Sequence, residues 1–96
     1  MISRDYKISN RLGLHARPSA QLTQVASRFQ SEVYITRDGR RVNAKSIMGV
    51  MMLAAGPGTT VSIEADGPDE ETAVAAIGAL IDSRFGESAS GQEHDG

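Results

Sequence analysis

Hydrophobic patterns of period two and period 3.6 succeed one another along this chain in an order that few folds accommodate. Ile2, Tyr6 and Ile8 alternate with Ser3, Asp5, Lys7 and Ser9, the pattern of a half-buried strand. From Ala16 onward, Ala20, Leu22, Val25, Ala26 and Phe29 recur at helical spacing and predict a helix over roughly residues 16–28. Val33 and Ile35, alternating with Glu32, Tyr34 and Thr36, make a second strand. Asp38-Gly39 then predicts a tight hairpin, because a type I′ turn needs positive φ at both central residues. The chain returns through Arg40, Arg41 and Val42 as a short third strand. Val61, Ile63 and Ala65 alternate with Thr60, Ser62 and Glu64 in a fourth. Gly67-Pro68-Asp69-Glu70-Glu71 opens a last helix with Pro and acids in its first turn, and Ala73, Val74, Ile77, Leu80 and Ile81 form its apolar stripe. With a short helix after Ser46, the order is βαββαβα. The expected fold is α+β, a two-layer open-faced sandwich with helices covering one face of a four-stranded sheet.

The punctuation and composition narrow the function classes. Gly56-Pro57-Gly58 reads as a plain turn, since no Gly-Lys-Ser/Thr follows to make a nucleotide-binding loop. Gly78 weakens the last helix by roughly 1 kcal/mol relative to Ala, a cost that close packing on the sheet would offset. Gly86 marks the end of that helix, and residues 87–96, small, polar and acidic, are expected to form a disordered tail holding His94. The chain is thus read as one domain over residues 1–86 plus the tail. It contains no cysteine, hence no disulfide framework and no thiolate metal site, which fits a reducing cytoplasm. No apolar run of membrane-spanning length and no hydrophobic leader are present, so a cytoplasmic protein without membrane insertion is expected. A net charge of −2 argues against general nucleic-acid binding. Arg40 and Arg41 invite a phosphate reading, but on a hairpin arm they are read as solvated edge residues.

The stretch with chemistry is Leu12-Gly13-Leu14-His15-Ala16-Arg17-Pro18. Pro18 marks a first helical turn, where its missing N–H breaks no intrahelical bond. His15 therefore falls at or just before the N-cap. There the first-turn amides of Ala16 and Arg17 point outward and the helix end is electropositive, which suits an anion, most naturally phosphate. An imidazole in that place can attack phosphorus, and Arg17 can neutralise phosphoryl oxygens. The alternative is a histidine that merely caps the helix or is solvated. Gly13 favours the first reading by letting the backbone bend ahead of the helix. A second stretch, Ser46-Ile47-Met48-Gly49-Val50-Met51-Met52-Leu53, begins with a preferred N-cap residue and is apolar on more than one face. Val50 and Leu53 are expected to face inward. Ile47, Met48 and Met51 are left either for the core or for a surface that docks partners.

Gly13-Leu14-His15-Ala16-Arg17-Pro18 resembles the active-site signature of the HPr family, the histidine-containing phosphocarriers of the bacterial phosphoenolpyruvate:sugar phosphotransferase system. The block from Val42 to Leu53 is similar to that family's regulatory-serine region, and the two stand in the family's order and separation. The resemblance implies an antiparallel sheet, with the histidine loop and the short helix on one edge. It implies that His15 accepts a phosphoryl group on Nδ1 from phosphorylated Enzyme I and passes it to an EIIA-type domain, with Arg17 and the amides of Ala16 and Arg17 holding the phosphate. It further implies regulatory phosphorylation of Ser46 by HPr kinase/phosphorylase, and a partner interface of Ala20, Ile47, Met48 and Met51. No cofactor and no metal are implied, and a monomer is expected.

Two departures bear on this. Position 19 is Ser where the family commonly has Ala, which adds either a phosphate hydrogen bond or nothing. The Ile77–Phe85 segment is similar to the nitrogen-related paralogue, NPr, while the serine block is nearer to HPr itself. A mainly regulatory module is thus the alternative reading. An acyl carrier would need an Asp-Ser attachment motif, whereas Ser46 follows Lys45. A stand-alone enzyme is disfavoured because no second acid/base partner for His15 is visible in the sequence.

Overall fold

The computed structural model describes residues 1–87. Strand β1 (Ile2–Lys7) leads through the histidine loop into α1 (Ala16–Ala26), followed by β2 (Glu32–Arg37) and β3 (Arg40–Asn43). Helix α2 (Ile47–Met52), β4 (Thr60–Asp66) and α3 (Glu70–Asp82) complete the order, with a short 3₁₀ turn at Arg84–Gly86. The four strands form one antiparallel sheet in the order β1-β4-β2-β3. The predicted α+β sandwich and its order of elements are as expected. The sheet order was not legible in the sequence: the last strand slots between the first two in sequence and becomes central.

Alternation explains the faces. Val61, Ile63 and Ala65 on β4, with Val33 and Ile35 on β2, point into the core, where Leu22, Ile77 and Ile81 from the helices meet them. Burying one such side chain contributes roughly 1.5–3 kcal/mol. The other sheet face is polar. There the Arg41 guanidinium lies 3.7 Å from the centre of the Tyr34 ring and its Nε donates to Glu64 Oε1 at 3.0 Å. Arg41 is thus an exposed residue of the edge strand, as expected, that also clamps across strands on the open face. Arg37 Nη1 donates to Leu53 O at 3.0 Å and Arg40 Nη1 reaches Met52 O at 3.5 Å, so hairpin cations satisfy carbonyls at the end of α2. Such cations also complement the negative end of a helix.

Three local details depart from the periodicity or sharpen it. Helix α1 ends at Ala26, two residues short of the expected limit, because Arg28 and Phe29 donate to Val25 and Ala26 in 3₁₀ fashion. A Cβ at Gly78 would fall onto the Tyr6 ring, so close packing of α3 on β1 is the reason for that glycine. After α3, Arg84, Phe85 and Gly86 take left-handed φ values of 58°, 57° and 79° in succession. The two non-glycine residues cost roughly 1–2 kcal/mol each in that conformation, and the turn places Phe85 in the core at 4% exposure.

Candidate functional site

The site is assembled by a turn that ends in a helix start. Gly13 takes φ +70°, and a Cβ there would collide with Ala55 O and the Gly56 backbone. The turn is closed by Asn10, which is fully buried and donates from Nδ2 to Gly13 O at 2.8 Å. Leu14 N donates to Ala55 O at 2.9 Å and so fastens the loop to the segment following α2. Leu14 itself is buried, which anchors the chain one residue before the histidine.

His15 is the N-cap of α1, in extended conformation (φ −88°, ψ −168°), and its carbonyl accepts the first helical bond from Ser19 N at 2.9 Å. Its side chain makes no capping bond. Ala16 and Arg17 follow as the first two helical residues, whose amides have no acceptor within the helix, and Pro18 has no amide hydrogen to place. Ala16 and Arg17 are exposed, Pro18 is buried, and Ala20 lies half-buried one turn on. Ser19 is fully buried and its Oγ donates to Leu14 O at 3.2 Å. Of the two readings of Ser19, the hydroxyl thus serves the turn rather than the site.

Helix α2 packs against α1. Ser46 is its N-cap, exposed, with Oγ accepting from Gly49 N at 3.1 Å. Val50 and Leu53 are buried, as expected, while Ile47, Met48 and Met51 are exposed. Met52, which the sequence reading left out, is exposed at 62%, close to Met48 at 69%. Its signal was the same methionine run, but six residues are too few for periodicity to separate faces. Lys45 spends its Nζ on Phe29 O at 2.9 Å, so its part in this region is structural.

The residue missed altogether is Glu87, which the sequence assigns to the tail. Its carboxylate accepts from Arg11 N at 3.0 Å and from Asn10 Nδ2 at 3.3 Å. Glu87 Oε2 lies 3.8 Å from His15 Nε2, and the Glu87 side chain is only 9% exposed. Glu87, expected to open the tail, is therefore bound to the histidine loop. The rest of the expected tail, with His94, lies outside the described residues. Contacts across more than seventy positions leave no local sequence signal. Among the described residues, no three His, Cys, Asp or Glu side chains are grouped to hold a metal ion, and no helix is long and apolar enough to cross a membrane.

Fold and site together define a small α+β domain in which a histidine stands at a helix start, near a second helix that exposes apolar side chains. Comparison with known proteins makes the class specific. A family model described as "PTS HPr component phosphorylation site" matches residues 2–83. The phosphocarrier protein HPr of Cupriavidus necator is 63% identical over 87 residues, covering 91% of this chain and 98% of the relative. The HPr-like protein Crh of Halalkalibacterium halodurans is 45% identical over 82 residues, or 85% of this chain and 98% of that one. Among solved structures, HPr-C-His from Thermoanaerobacter tengcongensis superposes with a TM-score of 0.89 at 46% identity, covering 92% of this chain and 99% of that one. The chain belongs to the HPr family of the phosphotransferase system. It is a phosphocarrier rather than a stand-alone catalyst.

Proposed function

We propose that His15 is the phosphoryl acceptor, taking the group on Nδ1 from phosphorylated Enzyme I and passing it to an EIIA-type domain. The observation that carries this reading is that His15 occupies the N-cap of α1 without spending its side chain on capping. His15 directly precedes Ala16 and Arg17, whose first-turn amides can receive phosphoryl oxygens, and the exposed Arg17 can serve as a counter-charge. Nδ1 attacks phosphorus with its lone pair, so the neutral ring is the competent nucleophile. The P–N bond it forms must break again at the next partner. A site of two amides and one exposed guanidinium suits that better than a closed cage. Ala20, Ile47, Met48 and Met51 form the docking surface, and the exposure of Met52 enlarges it. Enzyme I, EIIA-type domains and HPr kinase/phosphorylase are the partners, met by a monomer in the cytoplasm.

Ser46 is the second site in this reading, phosphorylated by HPr kinase/phosphorylase. Its exposure and its place at the start of α2 support that role. They also favour the second reading, a mainly regulatory or nitrogen-related module working through its phosphorylation state, which the 45% identity to an HPr-like protein Crh keeps in view. Incubation with phosphoenolpyruvate and Enzyme I, followed by intact mass, separates the two. The carrier gains one acid-labile phosphoryl group that His15→Ala abolishes, while stable phosphorylation of Ser46 survives the substitution. Uptake by His15→Ala at the wild-type rate would remove His15 from the assignment.

A further inference from the structure

Stability by itself does not explain Asn10. The residue is fully buried, yet only one end of its carboxamide is bonded. Nδ2 donates to Gly13 O at 2.8 Å and to Glu87 Oε2 at 3.3 Å, and two acceptors on that side identify it as the nitrogen. Oδ1 is buried without a hydrogen-bond partner among the described residues. A buried acceptor left unpaired is costly, so this residue is a poor choice for stability alone. The ends of the loop are fastened without it. Ile8 N donates to Thr59 O at 2.8 Å, Gly58 N to Ile8 O at 2.7 Å, and Leu14 N to Ala55 O at 2.9 Å. What Asn10 controls is the Gly13 carbonyl between those anchors. That oxygen accepts twice, from Asn10 Nδ2 and from the His15 amide at 3.0 Å, while Gly13 N returns to Asn10 O at 3.3 Å. The bond from His15 N closes a three-residue turn, so the direction of the Gly13 carbonyl decides where the His15 backbone lies.

We propose that Asn10 is a positioning residue for phosphoryl transfer, an inference resting on the acceptor reading above. By holding the Gly13 carbonyl, it keeps the His15 amide occupied within the loop and His15 in its extended conformation (φ −88°, ψ −168°). The first amides left open at the helix start are then those of Ala16 and Arg17, the two residues that follow. Being fully buried, Asn10 meets neither phosphate nor partner. It acts through Gly13 on the geometry between the His15 ring and those two amides. The phosphoryl group must meet ring and amides at once, and misplacing reacting groups by about 1 Å costs on the order of a hundredfold in rate.

The test compares the full chain with Asn10→Asp and Asn10→Ala, and with Ile35→Val, a control that loses core packing on β2. Asp keeps the size of the side chain but has no N–H to give Gly13 O. Ala removes the group without adding a buried charge, so it decides the matter if Asn10→Asp does not fold. Steady-state transfer from phosphorylated Enzyme I gives kcat and KM for the carrier as substrate. Hydrogen exchange on ¹⁵N-labelled, unphosphorylated protein reads the His15 amide against that of Leu14, which keeps its bond to Ala55 O. Both Asn10 variants should lower kcat roughly tenfold and leave KM within about twofold, because α2 and its apolar surface are untouched. The His15 amide should exchange roughly tenfold faster relative to Leu14, while Ile35→Val should leave kcat and this ratio as in wild type. An unchanged kcat or exchange ratio in folded Asn10→Ala would overturn the proposal. So would a loss of rate matched by Ile35→Val, or one that falls on KM alone. If wild-type protein took no phosphate on His15, the acceptor reading would fall, while the exchange ratios would still decide whether Asn10 holds the His15 backbone.

Discussion

At the scale of single residues, two glycines with similar backbone angles do different things. Gly13 (φ +70°) and Gly39 (φ +79°) both sit where side chains are disfavoured. Around Gly39 there is open space, whereas a Cβ at Gly13 meets the backbone of Ala55 and Gly56, which cannot swing aside. Gly39→Ala should therefore cost about 1–2 kcal/mol, the conformational penalty alone. Gly13→Ala should cost roughly 3 kcal/mol or more, since the overlap adds to that penalty. It should also slow phosphorylation of His15, because relief requires moving the Leu14–Ala55 bond. Denaturant unfolding of both variants, with a labelling rate for each, is the check, and equal losses would refute the collision argument. The hairpin glycine was legible because Asp-Gly is a local turn signal. That Gly13 bends the chain was also legible, but the collision that makes it irreplaceable comes from a segment more than forty positions away.

At the scale of an element, α2 carries both a cap and an apolar surface. Ser46 Oγ satisfies Gly49 N, and a phosphate in its place would gain roughly 0.3–1 kcal/mol from the helix start. In the proposed reading, the opposing effect is repulsion of an acidic partner docking on Ile47, Met48 and Met51. Two unit charges about 6 Å apart at an effective dielectric near 20 interact by roughly 3 kcal/mol. Screening at physiological salt leaves about 1–2 kcal/mol, on the order of a tenfold loss of docking. Repulsion is the larger, so Ser46→Asp should raise the melting temperature slightly while slowing transfer from Enzyme I to His15. Raising the salt concentration should restore the rate. A salt titration of the transfer kinetics tests this, and inhibition indifferent to salt would exclude the electrostatic cause.

For the molecule as a whole, one carboxylate joins the entry of β2 to the start of α3. Asp69 accepts from the amides of Gln30 and Ser31 at 3.0 Å each and from the Ser31 hydroxyl. The Ser31 hydroxyl bond, followed by the Gln30 amide, holds its carboxyl below the ordinary value of 3.8. The folded state thus favours the charged form. The resulting stability is present above the unfolded value and is lost as pH falls through the lower folded value. Wild type should exceed Asp69→Asn in stability at about pH 6, and the gap should close toward about pH 2.5. Denaturant titrations of both proteins at the two pH values measure it. A gap that persisted in acid would mean that shape rather than charge ties the two segments together.

Each β-strand and helix was determined by the sequence alone, because alternation and the 3.6-residue stripe are local consequences of burying one face. The N-cap at Ser46 and the turn at Asp38-Gly39 are equally local, as is the placing of His15 ahead of a helix. Tertiary structure decided what distant segments do to one another. It set β4 at the centre of the sheet, turned Ser19 inward, placed the Tyr6 ring over Gly78, and brought Glu87 back onto Asn10, Arg11 and His15. The reason is that a carboxylate following a helix reads as solvated tail in any sequence window. Only the left-handed turn at Arg84–Gly86, held by Phe85 in the core, determines where that carboxylate lands.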